Sequence, residues 1–211
     1  MKNKITKIVL TGGPCGGKTS ALNEIIENFT ALGYQVFAVP EIATIFFNAG
    51  VNFLTSDKQY FYNAEKALLK FQIEMENTFV ELSKTGDKPA LIVCDRGAID
   101  IAAYFDDETW ASLISELSFT KEQLSNDRYD AVIHLVTVAN GAESFYSNSS
   151  NKARTESPEE ARAKDNRLIE VWSGHPNLKI IYNENNTDKK LNKLEKINKV
   201  IAEISAVLEK K

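Results

Sequence analysis

A chain of 211 residues with 43% hydrophobic content is long enough for a sizeable core, and we predict a single domain over residues 1–211. The net charge of −4 excludes a strongly basic protein, so it indicates neither nucleic-acid binding nor attraction to an anionic membrane. The two cysteines are too few for a disulfide framework, and no apolar run reaches the roughly 18–20 residues of a membrane span. These features predict a cytoplasmic protein.

The first predicted element is a short strand over residues 5–10, and a glycine-rich loop follows it. This loop (the P-loop, residues 12–19) fits the phosphate-binding pattern G-x-x-x-x-G-K-[ST] at every fixed position, and a helical pattern over about 18–32 comes next. Strand, glycine loop and helix are the context that the motif needs. The predicted nucleotide-binding residues are Gly12, Gly13, Pro14, Cys15, Gly16, Gly17, Lys18, Thr19 and Ser20.

The residue types of the P-loop suit a triphosphate. Glycines let backbone N–H groups approach phosphate oxygens, and the helix N-terminus adds about half a positive charge. We expect Lys18 to reach the β- and γ-phosphates of ATP, with GTP as the alternative nucleotide, and the Thr19 hydroxyl to ligate Mg²⁺. The competing interpretation is an ordinary strand-turn-helix segment that is rich in glycine.

Two further predicted strands are followed by charged residues. The second strand, over about 34–39, leads to Glu41, and the third, an apolar run over about 90–94, leads to Asp95 and Arg96. Ligands of α/β sheets bind at the carboxyl ends of the strands, so these residues are candidates for chemistry. We predict that Asp95 holds Mg²⁺ directly or through water, and that Arg96 braces a phosphate or a substrate. A helix-starting acid and a structural Asp–Arg pair are the alternatives.

A long helix lies between the second and third strands. A capping pattern that begins at Ser56 predicts this helix, which extends to about residue 82. Gln72 and Glu76 lie one turn apart beside its apolar stripe and face either a pocket or solvent. Asp100, which follows the third strand, is predicted to lie on a helix surface.

An arginine-bearing segment separates the fourth strand, over about 129–138, from the fifth. His134 lies inside the fourth strand and is predicted to be a packed core histidine. The segment that follows, over about 140–174, begins polar and turn-rich and continues as a helix. Arginines in such a segment are typical of a lid that closes on phosphates, and Arg154 and Arg162 are its candidates. Charges on a solvated helix are the alternative.

The alternation of five strands with helices predicts an α/β fold with a doubly wound, five-stranded parallel sheet. A regulatory GTPase would need Asp-x-x-Gly after its metal-binding strand, and an AAA+ motor would need an acid directly after Asp95, where Arg96 stands. A P-loop NTPase of the nucleoside or nucleotide kinase type fits best. Its P-loop, the acid after strand two, the Asp-Arg pair after strand three and the arginine-bearing lid occur here in that order.

Four stretches of the sequence, residues 10–19, 39–41, 94–97 and 154–176, carry a family resemblance. On these stretches the chain resembles the NadR/Ttd family of AAA-type P-loop NTPases over about residues 5–205. That family includes nicotinamide riboside kinase domains and an insect nucleotide-binding trafficking protein. More distantly, the chain is similar to deoxynucleoside and thymidylate kinases.

The kinase resemblance implies roles for three residues. In deoxynucleoside kinases the acid after strand two deprotonates the sugar hydroxyl, a helix glutamine reads the base, and the arginine after strand three steadies the reacting groups. The resemblance therefore implies that Glu41 is the base, Gln72 a substrate reader and Arg96 an electrostatic clamp. Gly97 departs from the pattern, in which serine or a larger residue usually follows the arginine.

The leading hypothesis is an enzyme that transfers the γ-phosphoryl group of Mg-ATP to a hydroxyl of a small, nucleoside-like acceptor. The competing hypothesis is a nucleotide switch, in which ATP or GTP moves the lid and a partner or lipid headgroup reads the change. A slow hydrolase without an acceptor is a third alternative. The predicted catalytic residues are Lys18, Glu41, Asp95, Arg96, Arg154 and Arg162.

Overall fold

A computed structural model describes residues 4–143, 157–184 and 188–210 of the chain. Five strands form one sheet in the order β2-β3-β1-β4-β5, and every neighbouring pair is parallel. The structure therefore confirms the predicted five-stranded parallel sheet. The strands are β1 (Ile5–Thr11), β2 (Gln35–Val39), β3 (Ala90–Asp95), β4 (Ala131–Leu135) and β5 (Leu178–Ile181).

Helices follow the strands as the alternation predicts, and a 3₁₀ helix, Ala98–Tyr104, follows β3. The long helix begins one residue later than the Ser56 pattern predicts, because the Asp57 carboxylate accepts hydrogen bonds from the backbone N–H groups of Gln59 and Tyr60. The described α-helices are α1 (Lys18–Ala31), α2 (Ile42–Asn48), α3 (Lys58–Ser83), α4 (Asp107–Glu116), α5 (Lys121–Leu124), α6 (Pro158–Trp172) and α7 (Lys189–Glu209). None of these is both long and apolar enough to span a membrane.

Apolar side chains cover both faces of the sheet, which makes the fold doubly wound. Successive residues of β1 point to opposite faces, so Ile8 packs with Ile25 of α1 and Ile204 of α7, whereas Val9 packs in a second cluster with Leu69 of α3. Both β1 residues are fully buried, as expected for a strand covered on two faces. The two clusters fix the sheet between its helices.

The strand order places the predicted site residues at one edge of the sheet. Because all strands are parallel, the carboxyl ends of β2, β3 and β1 are neighbours, and they lead to Glu41, Asp95 and the P-loop respectively. The central strand β1 has β3 on one side and β4 on the other. The P-loop therefore emerges between two strand ends, where a ligand can reach it.

Strand β4 ends at Leu135, three residues earlier than predicted. Beyond it the chain turns toward the P-loop, since the Thr137 hydroxyl donates to the carbonyl of Pro14 and the Thr137 N–H donates to the carboxylate of Asp165, at 3.3 Å. The Val136 N–H still donates to the carbonyl of Ile181 in β5, so the contacts of Thr137 replace the ladder only from that residue onward.

Candidate active site

A cleft of about 1260 Å³ opens at the carboxyl edge of the sheet. Sites for one small molecule commonly measure about 300–1,000 Å³, so this cleft has room for a nucleotide and a second ligand. The structure brings most of the predicted site residues together here. Those that line the cleft are Pro14, Cys15, Gly16, Gly17, Lys18, Thr19, Ser20, Glu41, Gln72, Asp95 and Arg96.

The backbone of the P-loop is shaped by its neighbours. Gly12 has a φ of +133°, and a Cβ at this position would overlap the carbonyl oxygen of Leu135 in β4. Lys18 folds back over the loop, where its ammonium group donates to the carbonyls of Gly12 at 2.8 Å and Gly13 at 3.1 Å. The carbonyls of Gly12 and Gly13 therefore hold the Lys18 side chain, while residues 14–20 line the cleft.

The charge of Lys18 is sensitive to what occupies the cleft. Burial and the charge of the nearby Arg96 together lower the pKa of Lys18 to about 8, although Asp95 and Glu41 act in the opposite direction. A phosphate group beside the ammonium would favour the charged form and raise this pKa. Lys18 is thus placed to gain a full positive charge when a phosphate binds.

Glu41 and Arg96 form an ion pair between neighbouring strand ends. The Arg96 Nε donates to Glu41 Oε1 at 2.7 Å, and the Thr44 hydroxyl donates to Glu41 Oε2 at 2.6 Å. Burial acts to raise the pKa of Glu41, but the Arg96 charge and the Thr44 hydrogen bond outweigh it and lower the pKa to about 2. Glu41 is therefore a fixed carboxylate at neutral pH, with its orientation set by two donors.

The backbone of Arg96 is strained at the end of β3. Arg96 has a φ of +78°, a conformation that costs a residue with a Cβ about 1–3 kcal/mol. Its N–H still continues the ladder by donating to the carbonyl of Leu10 at 3.0 Å, while its side chain turns to Glu41 and approaches the carbonyl of Gly12 at 3.4 Å. The strain places the guanidinium between β2 and the P-loop.

Asp95 and Thr19 fit a magnesium ion. Asp95 is 9% exposed, and its Oδ1 is buried without a hydrogen-bond partner among the described residues. Burial raises the pKa of Asp95, and the charge of Lys18 opposes that shift. The exposed Thr19 lines the same cleft. Mg²⁺ takes oxygen ligands and keeps several waters, so one carboxylate and one hydroxyl are a suitable protein contribution.

Gln72 braces the end of β3 from helix α3. Its amide nitrogen donates to the carbonyl of Arg96 at 3.2 Å and to Glu76 Oε1 at 2.8 Å, and both side chains are buried rather than solvated. Glu76 in turn pairs with Lys7 at 3.0 Å and Arg128 at 3.2 Å. With both amide hydrogens engaged, Gln72 has only its amide oxygen available to a ligand.

The predicted surface position of Asp100 is wrong. Asp100 is 2% exposed, and its carboxylate accepts hydrogen bonds from the Thr11 hydroxyl at 2.6 Å, the Trp172 indole at 2.7 Å and the Gly97 N–H at 2.9 Å. A Cβ at Gly97 would lie 2.8 Å from a methyl group of Val9 and 3.0 Å from Trp172. The glycine that departs from the kinase pattern is therefore required by the packing of Trp172.

Asp165 of α6, which sequence reasoning missed, joins the predicted lid helix to the P-loop. Its Oδ1 accepts from the Gly13 N–H at 2.6 Å and lies 3.0 Å from Nε2 of His134, which is fully buried as predicted. Its Oδ2 accepts from the Thr137 N–H at 3.3 Å. Asp165 thus holds one end of the phosphate-binding loop and the end of β4 in a fixed relation to α6.

We expect Asp165→Ala to lower the free energy of unfolding by about 2–4 kcal/mol, because it leaves the buried N–H groups of Gly13 and Thr137 without an acceptor. Urea unfolding measures this loss. Asn166→Ala, at an exposed position of the same helix, is the control and should change stability by less than about 0.5 kcal/mol. A loss below about 1 kcal/mol for Asp165→Ala would show that these N–H groups find other partners.

Helix α6 carries both a predicted lid arginine, Arg162, and a second cation, Lys164, and the two have different surroundings. The Arg162 guanidinium donates to the carbonyl of Ala139 at 2.8 Å and pairs with Glu159 at 2.8 Å, and Arg162 is not among the cleft-lining residues of the described chain. Arg154 lies outside the described residues. The cation of α6 that lines the cleft is Lys164, with its Nζ 4.8 Å from the centroid of the Tyr104 ring. Arg154 and Arg162 stay predictions.

Helix α7 contributes a second cation that sequence reasoning missed. Lys196 is buried, lines the cleft, and donates to the carbonyl of Val136 and to Asn183 Oδ1 at 2.9 Å. Burial lowers its pKa to about 8, and the charge of Asp165 opposes that shift. Lys196 fixes the chain after β4 against α7 on the P-loop side of the fold.

Comparisons with known proteins agree with this geometry. Residues 7–190 match the family model AAA_28, which is described as an AAA domain. The chain belongs to this family. It matches none of the curated proteins. The AAA domain is also similar to the structure of deoxyadenosine kinase from M. mycoides with bound dATP, at 17% sequence identity and a TM-score of 0.54.

The structural match covers 92% of this AAA domain and 98% of the deoxyadenosine kinase chain. At this sequence identity the likeness shows a shared fold, that of the P-loop nucleoside kinases. The protein is therefore an AAA domain with a P-loop and the fold of the nucleoside kinases. Its placement within the NadR/Ttd branch stays a prediction.

Proposed function

We propose that this AAA domain is a kinase that transfers the γ-phosphoryl group of Mg-ATP to a hydroxyl group of a small, nucleoside-like acceptor. One observation carries the proposal: the P-loop and the Glu41–Arg96 ion pair line the same large cleft. A nucleotide that occupies the P-loop would leave space beside Glu41 for a second molecule. The likeness to deoxyadenosine kinase supports an acceptor of the nucleoside class.

The P-loop residues would bind and orient the triphosphate. Backbone N–H groups of residues 15–19 and the charge of Lys18 would surround the β- and γ-phosphates. Bound Mg²⁺, held by Thr19 and Asp95, would neutralise charge on the phosphate oxygens. Catalysis in this class of reaction comes mainly from positioning and from charge stabilisation, and both are features of rigid, pre-oriented side chains.

Glu41 would orient the acceptor hydroxyl and receive its proton. A carboxylate with a pKa of about 2 is a weak base, but phosphoryl transfer passes through a loose transition state in which the hydroxyl becomes acidic late. Arg96, held against Glu41 at 2.7 Å, would stabilise the negative charge that develops on the transferred group. The ion pair would therefore act on both the acceptor and the phosphoryl group.

The hydrogen bond between Asp165 and Gly13 favours one second candidate, a nucleotide switch. A nucleotide that shifted the P-loop would move α6 through this contact, and a partner could read the change. Such a protein would bind ATP or GTP tightly and would consume it independently of any acceptor. The two functions therefore differ in whether an acceptor accelerates nucleotide consumption.

The test is ADP or GDP formation with each of ATP and GTP, measured against ribonucleosides, deoxynucleosides and nicotinamide riboside. We expect formation that depends on both Mg²⁺ and an acceptor, with a phosphorylated acceptor as the product in mass spectrometry. The Lys18→Ala variant, prepared in the same way, controls for contaminating kinases. Equal rates with and without every acceptor would contradict the kinase proposal, and tight nucleotide binding measured by calorimetry would then favour the switch.

A further inference from the structure

Glu65 of α3 is a buried carboxyl group in the wall of the cleft, and the proposed mechanism does not use it. It is 5% exposed, and none of the groups in residues 4–143, 157–184 and 188–210 donates a hydrogen bond to it. Glutamate is almost never this deeply buried without a partner, because burial of an unpaired carboxylate costs free energy. The position therefore indicates a ligand that supplies the donor.

The location of Glu65 relates it to the acceptor rather than to the nucleotide. Glu65 lies seven residues before Gln72, and this spacing of two helical turns places both side chains on the face of α3 that lines the cleft. Gln72 donates to the carbonyl of Arg96 at 3.2 Å, so this face of α3 adjoins the end of β3. Glu65 therefore belongs to the α3 wall of the cleft and not to the P-loop.

The surroundings of Glu65 select the chemistry of its partner. Burial raises the pKa of Glu65 to about 7, and the positive charges of Lys164 and Arg96 act in the opposite direction. Those two cations disfavour a cationic group on the acceptor, and the carboxyl group itself disfavours an anionic one. A neutral donor remains, and a hydroxyl is the neutral donor that a sugar offers within a few ångströms of its phosphorylated position.

We propose that Glu65 binds a second sugar hydroxyl of the acceptor and so selects acceptors that carry more than one hydroxyl group. The inference rests on the proposed kinase function, since Glu41 and Arg96 define where the first hydroxyl lies. Leu68 lies one turn from Glu65 toward Gln72 and also lines the cleft. The Glu65 carboxyl group is therefore a polar group on a partly apolar surface. A polar group in such surroundings fixes the orientation of a bound ligand.

The experiment compares kcat/KM for a ribonucleoside with the values for its 2′-deoxy and 3′-deoxy analogues. We expect the wild-type protein to prefer the ribonucleoside over one of the two analogues by about 10–100-fold, because the analogue leaves a buried carboxylate unpaired. Glu65→Leu should reduce this preference to less than about threefold, and Glu65→Gln, which keeps an acceptor oxygen, should retain part of it. The Kd for MgATP should stay unchanged in both variants.

Glu74→Leu is the matched control, because Glu74 is an exposed glutamate of the same helix. It should keep the wild-type preference. If Glu65→Leu fails to fold, the nearly isosteric Glu65→Gln gives the comparison, with folding checked by circular dichroism.

Two outcomes would overturn the inference in different ways. In the first, nucleosides are phosphorylated, but the preference for the ribonucleoside is the same in the wild type and both Glu65 variants, or the variants change the preference for the base instead of that for the sugar. Glu65 then does not bind a sugar hydroxyl, and the kinase function stands. If the wild-type protein phosphorylates none of the nucleosides, the proposed kinase function fails and the inference fails with it.

Discussion

Lys18→Ala should abolish acceptor-dependent phosphoryl transfer and weaken MgATP binding by about 10–100-fold, since hydrogen bonds to charged groups contribute about 1.5–3 kcal/mol. The loss of turnover should exceed the loss of affinity, because the ammonium group would also stabilise charge that develops in the transition state. Isothermal titration calorimetry measures the Kd, and ADP formation measures the turnover.

The structure offers a control for this variant in the same cleft. Lys193 of α7 is exposed and lines the cleft, so Lys193→Ala removes an equal charge without removing the contacts to the P-loop carbonyls. Its MgATP affinity should lie close to that of the wild type. A Kd for Lys18→Ala within about threefold of the wild-type value would contradict the assignment of Lys18 to the phosphates.

The same lysine should make nucleotide affinity depend on pH. Lys18 has a pKa of about 8 in the absence of ligand, and a bound phosphate would raise it. Lys18 is protonated at pH values well below this pKa, so the affinity for the nucleotide should fall as the pH rises through about 8. At pH 9 the free protein has mostly neutral Lys18, so nucleotide binding should be accompanied by uptake of a proton. Calorimetry in two buffers of different ionisation enthalpy measures that uptake, and Lys18→Ala should lack it.

The P-loop and the sheet could be predicted because their signals are local. The phosphate-binding pattern is contiguous, and the strands are short apolar runs with β-branched residues between helical patterns. Glu41 and Arg96 could each be predicted as site candidates, since parallel strands place their carboxyl ends at one edge of the sheet. Their 2.7 Å contact depends on β2 and β3 being neighbours, which the structure shows.

The contacts that the sequence did not predict join residues far apart in the chain. Asp100 meets Trp172 across 72 positions, and Asp165 meets Gly13 across 152. A single aspartate after a strand looks like a surface residue until its partners are known, and one sequence does not provide them. The same holds for Glu65, which becomes noteworthy only because it is buried and receives no hydrogen bond from the part of the chain that the structure describes.

Which cation of α6 lines the cleft depends on the rotation of this helix about its axis. Residues two apart on a helix differ by about 200°, so the two cations point to nearly opposite sides. Asp165 fixes the rotation by its contacts with Gly13 and His134, which leaves Lys164 at the cleft and Arg162 at Ala139. The arginine content of the segment could not reveal this, because composition carries no information on helix phase.

Glu41→Gln should lower kcat for acceptor phosphorylation by about 10²–10⁴-fold, while the Kd for MgATP changes by less than about threefold. The substitution keeps the shape of the side chain and an oxygen for the Thr44 hydroxyl, but it removes both the group that receives the acceptor proton and the charge that holds Arg96. Steady-state kinetics with a saturating acceptor measures the effect. Turnover equal to that of the wild type would exclude Glu41 as the base.

Thr44→Val separates the two contributions of Glu41. It removes one hydrogen bond to the carboxylate, at 2.6 Å, and leaves the charge and the Arg96 contact in place. Because the Thr44 hydrogen bond helps to lower the pKa of Glu41, its loss should raise that pKa, yet the group stays ionised at neutral pH. We therefore expect a loss in kcat of less than about tenfold for Thr44→Val. A loss as large as that of Glu41→Gln would mean that orientation of the side chain, rather than its charge, limits the reaction.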